Sequence, residues 1–243
     1  SFNYRLGVFG FTAHPALSAE NENGISGNYG IQDQIAALRW VKNNIAQFGG
    51  DPDNVTIFGQ SAGGRSTRTL SESPMARGLF NKAIIMSAGG LNHAAPFENY
   101  KDVEVRTKEV MDWAGLDTAE KMRAASTEEI FALQSIYNRV HGLRPAGIFA
   151  PTIDGVVVSK DFDAAAVEGT LADVPYMIGY TRDDSGDMSK GIIEFGKNRE
   201  SLGGKAYAYQ FARPLPTDGR ANVLSGAFHS SDLWFIFKSL KHC

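Results

Sequence analysis

The segment 59–63 (GQSAG) contains a serine with a glycine two positions before it and another two positions after it. It fits the G-x-S-x-G pattern of an activated serine nucleophile. The pattern alone is weak, because a chain this rich in glycine would contain it in about one random order in five. Its surroundings are stronger evidence: residues 55–58 (VTIF) predict a short strand directly before it, and a helix is predicted from the turn to about Leu70.

A serine on a sharp strand-to-helix turn has its hydroxyl exposed above the edge of a sheet, where it can attack a carbonyl group. We therefore predict that Ser61 is a nucleophile. Ala62, Gly63 and Gly64 are expected to be small so that strand and helix can approach each other. The backbone N–H of Ala62 is expected to stabilise the developing oxyanion.

A serine nucleophile needs a histidine as general base, and in this setting the chain order is serine, acid, histidine. The sequence has five histidines: His14, His93, His141, His229 and His242. The first two lie before or too near the serine, and His141 precedes every acid at the end of a later strand. His242 is next to the last residue. His229, in a loop after a predicted strand at 206–211, is therefore the candidate base.

The acid should follow a strand that lies between the serine and the histidine. Residues 175–180 (PYMIGY) predict that strand, and Asp183, Asp184 and Asp187 come after it. Any of these carboxylates could orient an imidazole, and the others would then serve as turn or cap residues. Spacing alone does not choose between them.

The elements around these residues alternate between strand and helix. Further strands are predicted at Tyr4–Phe11 and 83–86, and an amphipathic helix at Ile31–Phe48, ended by Gly49 and Gly50. Apolar strands in such an alternation predict a mostly parallel sheet covered by helices on both faces. Residues 98–147 are mostly helical in pattern, with helices predicted at Lys101–Trp113 and Thr127–Tyr137. We interpret 98–147 as a helical excursion from one domain that spans residues 1–243.

Composition excludes several classes of protein. The chain has 24 Lys and Arg against 27 Asp and Glu, and no basic cluster, which argues against binding nucleic acid. No run approaches the roughly 18 apolar residues that a membrane span requires. The only cysteine, Cys243, can form no disulfide within the chain and no cysteine-rich zinc site.

Several long stretches resemble the type-B carboxylesterases, a family of serine hydrolases that includes cholinesterases and bacterial p-nitrobenzyl esterases. The stretches cover residues 3–11 (NYRLGVFGF), 27–64 (GNYGIQDQIAALRWVKNNIAQFGGDPDNVTIFGQSAGG), 73–90, 151–155, 174–184 (VPYMIGYTRDD) and 226–237 (GAFHSSDLWFIF). The resemblance implies an α/β-hydrolase fold and hydrolysis of small-molecule carboxylic esters without a metal or organic cofactor.

The resemblance also implies roles for individual residues. It matches Ser61 to the family's nucleophile, His229 to its base and Asp184 to its acid, which is usually a glutamate. Gln60 replaces a glutamate that usually precedes the nucleophile. We expect that exchange to remove a negative charge without touching the catalytic residues.

Two departures from the family pattern stand out. The family's glycine-rich oxyanion loop would precede residue 3, so we expect the chain to be a piece of a longer protein with Ala62 as its only oxyanion donor. Only 45 positions separate Asp184 from His229, fewer than in the family. We hypothesise that residues are missing near 188–195, and a continuous backbone through residues 190 and 191 would count against this.

Two other functions stay open on the sequence alone. Some members of the family keep the fold and act as non-catalytic interaction domains, although they lose the serine or the histidine. The same three residues could also hydrolyse amides or thioesters.

Overall fold

The structure is a computed structural model that describes residues 2–140, 142, 149–216 and 226–242. The helices are α1 Gly7–Phe11, α2 Pro15–Ser18, α3 Tyr29–Asn44, α4 Ala62–Glu72, α5 Tyr100–Trp113, α6 Ala119–Ala124, α7 Thr127–Val140, α8 Phe162–Glu168, α9 Ser189–Ser201 and α10 Asp232–Ile236. Short 3₁₀ helices cover Ile45–Phe48, Pro74–Ala76 and Leu240–His242. No described helix is both long enough and apolar enough to cross a bilayer. His141 lies outside the described residues.

The chain divides into two compact units. Unit 1 comprises Ser1–Asn44, Ser73–Ala76 and Phe97–Asp161, and unit 2 comprises Ile45–Glu72, Arg77–Pro96 and Phe162–Cys243. The assignment of residues 1–243 to one domain, with 98–147 as an excursion, stays a prediction. The helices predicted within that stretch are present as α5 and α7.

Unit 2 contains the sheet that the sequence predicts. Its described strands are β1 Thr56–Gln60, β2 Lys82–Met86, β3 Tyr176–Thr181 and β4 Ala206–Phe211, in the order β1-β2-β3-β4. All three pairings are parallel, so the carboxyl ends of the strands lie along one edge. Loops at this edge of an open parallel sheet are the usual place for a functional site.

The core of unit 2 forms because β-branched and aromatic side chains of the strands point into the space under the helices. Ile85, Ile178 and Tyr176 are fully buried, and the ring of Tyr176 packs edge-on against Phe195 of α9 at 5.5 Å between centroids. Phe162 of α8 stacks on the same ring of Phe195 at 5.6 Å. This packing fixes the position of β3, which leads directly into the loop that carries the three candidate aspartates.

The prediction of a strand at Tyr4–Phe11 is wrong, because residues 7–11 form the short helix α1. Gly7 has a φ of 53°, which an extended strand cannot accommodate, and a side chain at Gly10 would lie 2.3 Å from the carbonyl oxygen of Arg5. Val8 and Phe11 are buried, as an apolar run should be. Periodicity cannot distinguish a short buried strand from one turn of buried helix.

The predicted amphipathic helix is present with a different end. α3 buries Ile31, Ile35 and Leu38 along one face and ends at Asn44, after which a 3₁₀ helix covers Ile45–Phe48. Gly49 follows with a φ of 80°, the left-handed conformation expected at a helix C-terminus.

The backbone continues as helix α9 through residues 190 and 191. The N–H of Leu91 donates to the carbonyl of Gly191 at 3.0 Å, and a side chain at Gly191 would lie 2.2 Å from the carbonyl oxygen of Leu91. This continuity counts against missing residues near 188–195; the hypothesis itself stays a prediction.

Unit 1 contains a buried set of polar side chains that we call the polar cluster: Ser18, Ser26, Tyr100 and Glu104. The Ser18 hydroxyl lies 2.8 Å from that of Ser26 and 2.7 Å from the Glu104 carboxylate, and the Tyr100 hydroxyl donates to the same carboxylate. Burial acts to raise the pKa of Glu104, but these hydrogen bonds and one from Lys101 outweigh it and lower the pKa. The polar cluster is therefore a closed network around an ionised carboxylate.

Candidate active site

The turn between β1 and α4 holds Ser61 in a strained conformation. Its φ is 57°, in the left-handed region, which costs a residue other than glycine about 1–3 kcal/mol. Two hydrogen bonds fix the turn: the N–H of Ser61 donates to the carbonyl of Met86 at 2.9 Å, and that of Arg65 donates to the carbonyl of Ser61 at 3.0 Å. The predicted strand–turn–helix setting is confirmed, and its strain matches that of a nucleophile elbow.

Two glycines of this turn lie so close to neighbouring atoms that a side chain would not fit. A side chain at Gly59 would lie 2.1 Å from the carbonyl oxygen of Gly63, and one at Gly64 would lie 2.6 Å from the Cβ of Ala88. Position 63 itself has open space around it. The requirement for a small residue was therefore predicted correctly at Gly64 but is not supported by packing at Gly63.

Asp184, in the loop after β3, contacts His229. The distance from its Oδ1 to Nδ1 of the imidazole is 2.8 Å, and its side chain is fully buried while that of His229 is 38% exposed. Burial acts to raise the pKa of Asp184. The backbone N–H of Ser185, the hydroxyl of Thr181 and the imidazole oppose burial, and the pKa is lowered overall. Asp184 is consequently an anion at neutral pH and can only accept. Nδ1 of His229 therefore carries a proton and donates it to Asp184.

The two other candidate aspartates have different partners. Asp183 accepts from the N–H of Ala227 at 2.7 Å and pairs with Arg182, and so it anchors the loop before His229. Asp187 accepts from the Tyr180 hydroxyl at 2.9 Å. Of the three, Asp184 is the one hydrogen-bonded to His229.

The loop that carries His229 is tied to the end of β3 and continues into α10. The N–H of Asp183 donates to the carbonyl of Ala227 at 3.0 Å, which ties the loop before His229 to the end of β3. Asp232, at the start of α10, is 1% exposed. Burial raises the pKa of the Asp232 carboxyl, and the nearby His229 opposes this by a smaller effect.

The structure does not join Ser61 to His229: among the described residues, no hydrogen bond links the serine hydroxyl to the imidazole. Nε2 of His229 instead lies 3.2 Å from the amide nitrogen of Gln60. The expectation that Gln60 leaves the catalytic residues untouched is therefore wrong. The contact arises because the loop that carries His229 reaches the end of β1, which lies 169 positions earlier in the chain.

Ala62 is the first residue of α4 and is exposed. The first N–H groups of a helix have no partner within the helix, so they are suited to bind a developing negative charge. No group of three or more His, Cys, Asp or Glu side chains that could hold a metal ion lies within the described parts of the chain.

Comparison with known proteins matches most of the chain to one family. The profile described as "Carboxylesterase family" matches residues 1–193. The chain belongs to the carboxylesterase family. Ser61 and Asp184 lie within the match, and His229 lies after it. The predicted resemblance to type-B carboxylesterases is confirmed.

Individual members of the carboxylesterase family are similar over most of this chain. It is 37% identical to the fumonisin B1 esterase of Sphingopyxis macrogoltabida over 228 residues, which cover 90% of this chain and 40% of that protein. It is also 37% identical to the para-nitrobenzyl esterase of Bacillus subtilis over 198 residues, or 76% of this chain and 36% of the relative. The chain thus spans about two fifths of the length of these curated relatives.

Solved structures in the carboxylesterase family share its fold. A para-nitrobenzyl esterase structure superposes with a TM-score of 0.79 at 26% identity and covers 98% of this chain and 57% of its own. A carboxylesterase of Geobacillus stearothermophilus gives 0.73 at 28% identity, with 97% and 57% covered. The predicted α/β-hydrolase fold, a mostly parallel sheet flanked by helices, is confirmed.

Proposed function

We propose that this chain carries the catalytic residues of a serine carboxylesterase, with Ser61 as nucleophile, His229 as general base and acid, and Asp184 as the residue that orients the imidazole. The observation that carries the proposal is the 2.8 Å contact between Asp184 and Nδ1 of His229, at the same sheet edge as the strained Ser61. Membership of the carboxylesterase family supports the reaction class.

The reaction has two steps. In the first, Nε2 of His229 takes the proton of Ser61 as the serine oxygen bonds to the ester carbonyl, and the N–H of Ala62 contributes to binding the oxyanion. The imidazolium then gives its proton to the leaving alcohol, and an acyl-enzyme remains on Ser61. In the second step, His229 activates a water molecule that releases the carboxylic acid. Asp184 keeps the imidazole in the correct tautomer and stabilises its cation throughout.

The substrate class follows from the chemistry and from the names of the relatives. A neutral carbonyl attacked by serine suits a small-molecule carboxylic ester, and the relatives include a fumonisin B1 esterase and a para-nitrobenzyl esterase. Fumonisin B1 and p-nitrobenzyl esters are therefore the first substrates to test. The mechanism proposed for these residues requires neither a metal nor an organic cofactor.

The alternative is a non-catalytic interaction domain with the same fold. The hydrogen bond between Asp184 and His229, together with the strain at Ser61, favours catalysis, because an activated serine requires an oriented base and a strained, exposed turn. Hydrolysis of amides or thioesters would use the same residues, and assays with those substrates distinguish it from ester hydrolysis.

The test is hydrolysis of a p-nitrophenyl ester by the full-length protein and by its Ser61→Ala and His229→Ala variants. Each change should lower kcat/KM by about 10⁴-fold or more, because the three residues act as a unit. Ser201→Ala, at an exposed position of α9, is the matched control and should leave the rate unchanged. Substantial activity in Ser61→Ala, or no labelling of the wild type by an organophosphonate, would overturn the proposal.

A further inference from the structure

Gln60 is the last residue of β1 and lies directly before the proposed nucleophile. Its backbone pairs with Met86 of β2, so its position is set by the sheet. Its side chain is half-buried, and its amide nitrogen lies 3.2 Å from Nε2 of His229. This is the one described hydrogen bond of that nitrogen.

The chemistry of the contact follows from the other side of the ring. Because Nδ1 donates its proton to the anionic Asp184, Nε2 of the neutral imidazole is an acceptor with a single lone pair. The Gln60 amide group donates to that lone pair. In the proposed reaction the Ser61 hydroxyl must donate to the same lone pair, so the two donors compete for one acceptor.

We propose that Gln60 is a positioning residue that occupies Nε2 of His229 in the resting protein and has to withdraw before Ser61 can be activated. This inference rests on the proposed function. The absence of a hydrogen bond between Ser61 and His229 among the described residues is the state that such competition produces.

The contact changes once Nε2 has taken the serine proton. Nε2 is then a donor, and the amide nitrogen of Gln60 can no longer bond to it. A glutamate at this position would offer only acceptors while ionised, and it would favour the protonated imidazole. The charged and titratable groups that face the ring from the neighbouring elements are Asp184 after β3 and Asp232 on α10, both of which every Gln60 variant retains.

The first measurement is the rate at which an organophosphonate labels Ser61 in the full-length protein at neutral pH. Gln60→Met keeps the length of the side chain and removes the donor, so it should label about 2–10-fold faster, the factor that corresponds to the net contribution of one neutral hydrogen bond. Gln47→Met, at an exposed position of the same unit, is the matched control and should label at the wild-type rate.

The second measurement is the acid limb of the labelling rate against pH, which a purely structural role would not move. Loss of the donor removes a preference for neutral imidazole, so the limb of Gln60→Met should lie at higher pH than in the wild type. Gln60→Glu should move it further in the same direction, because its carboxylate stabilises the imidazolium. If Gln60→Met does not fold, Gln60→Ala must show the same two changes.

Equal or slower labelling by Gln60→Met, with an unmoved acid limb, would overturn this inference while leaving the proposed function intact. Failure of the proposed function has a different signature: the wild type would not be labelled at all, or Ser61→Ala would be labelled and active.

Discussion

Two groups of buried or half-buried polar residues in this chain use similar residue types with different results. In the polar cluster of unit 1, the hydroxyls of Ser18, Ser26 and Tyr100 bond to one another or to Glu104. In the candidate site of unit 2, Asp184 and His229 are tightly paired. The Ser61 hydroxyl makes no hydrogen bond to any described residue, and its backbone is strained. A polar network that satisfies itself adds order, whereas one that leaves a reactive group free is prepared for a ligand.

The largest effect should come from breaking the pair in unit 2. In Asp184→Asn the amide can no longer hold the proton on Nδ1, so the imidazole adopts the wrong tautomer. We expect kcat to fall by about 10⁴-fold with little change in stability. Asp187→Asn is the control, because Asp187 bonds to Tyr180 and not to His229. Steady-state hydrolysis of a p-nitrophenyl ester measures both, and equal losses in the two variants would contradict the role of Asp184.

Breaking the polar cluster should change stability and leave activity alone. Ser18→Ala removes the hydroxyl that joins Ser26, Tyr100 and Glu104, and it leaves buried polar atoms without that partner. The free energy of unfolding should fall by about 1–3 kcal/mol. Denaturant titration measures the change, with Ser201→Ala as the exposed control. A fall in kcat/KM for the folded protein would mean that the two groups are not independent.

Relieving the backbone strain at Ser61 should make the protein more stable. Ser61→Gly lets the backbone adopt its φ of 57° without a Cβ, so the free energy of unfolding should rise by about 1 kcal/mol while activity is lost. Ser61→Ala loses activity too but keeps its Cβ, and it should therefore match the wild type in stability. Thermal unfolding of the three proteins decides the matter, and equal midpoints would show that the turn stores no strain.

The smallest effect concerns His14, which is 1% exposed and lies beside the polar cluster, donating its backbone N–H to Ser26. Burial lowers its pKa below the ordinary value of 6.5. The unfolded chain therefore binds this proton first, and stability should fall as the pH drops from about 6.5 towards the lowered pKa. Asn at this position can still cap α2, since the ring nitrogen of His14 accepts from Ala16. His14→Asn should thus flatten the dependence in urea unfolding from pH 7 to 5, and an unchanged slope would refute the assignment.

The sequence was a good guide where local pattern decides structure. Apolar runs rich in β-branched or aromatic residues located β1 to β4, and the glycines around Ser61 located the turn. The same reasoning failed at α1, where one turn of buried helix and a buried strand have the same apolar run and only the φ of Gly7 separates them. Local pattern therefore predicts long or repeated elements better than short ones.

Contacts between distant segments were beyond the residue pattern. Spacing could not choose among Asp183, Asp184 and Asp187, because the choice depends on how the loop before His229 meets the end of β3. The resemblance to the carboxylesterases selected Asp184, and the geometry agrees. The contact of Gln60 with His229 gave no signal in the sequence, since it depends on a side-chain approach across 169 positions.

The uneven space around the glycines of the turn has a consequence for protein engineering. If residues 59, 63 and 64 were randomised together and folded clones selected, positions 59 and 64 should return only glycine, because any side chain there meets backbone or a packed methyl group. Position 63 should accept alanine and serine. In the G-x-S-x-G signature, packing would then require the first glycine and not the second. Position 63 could therefore be changed to alter the surface beside the nucleophile.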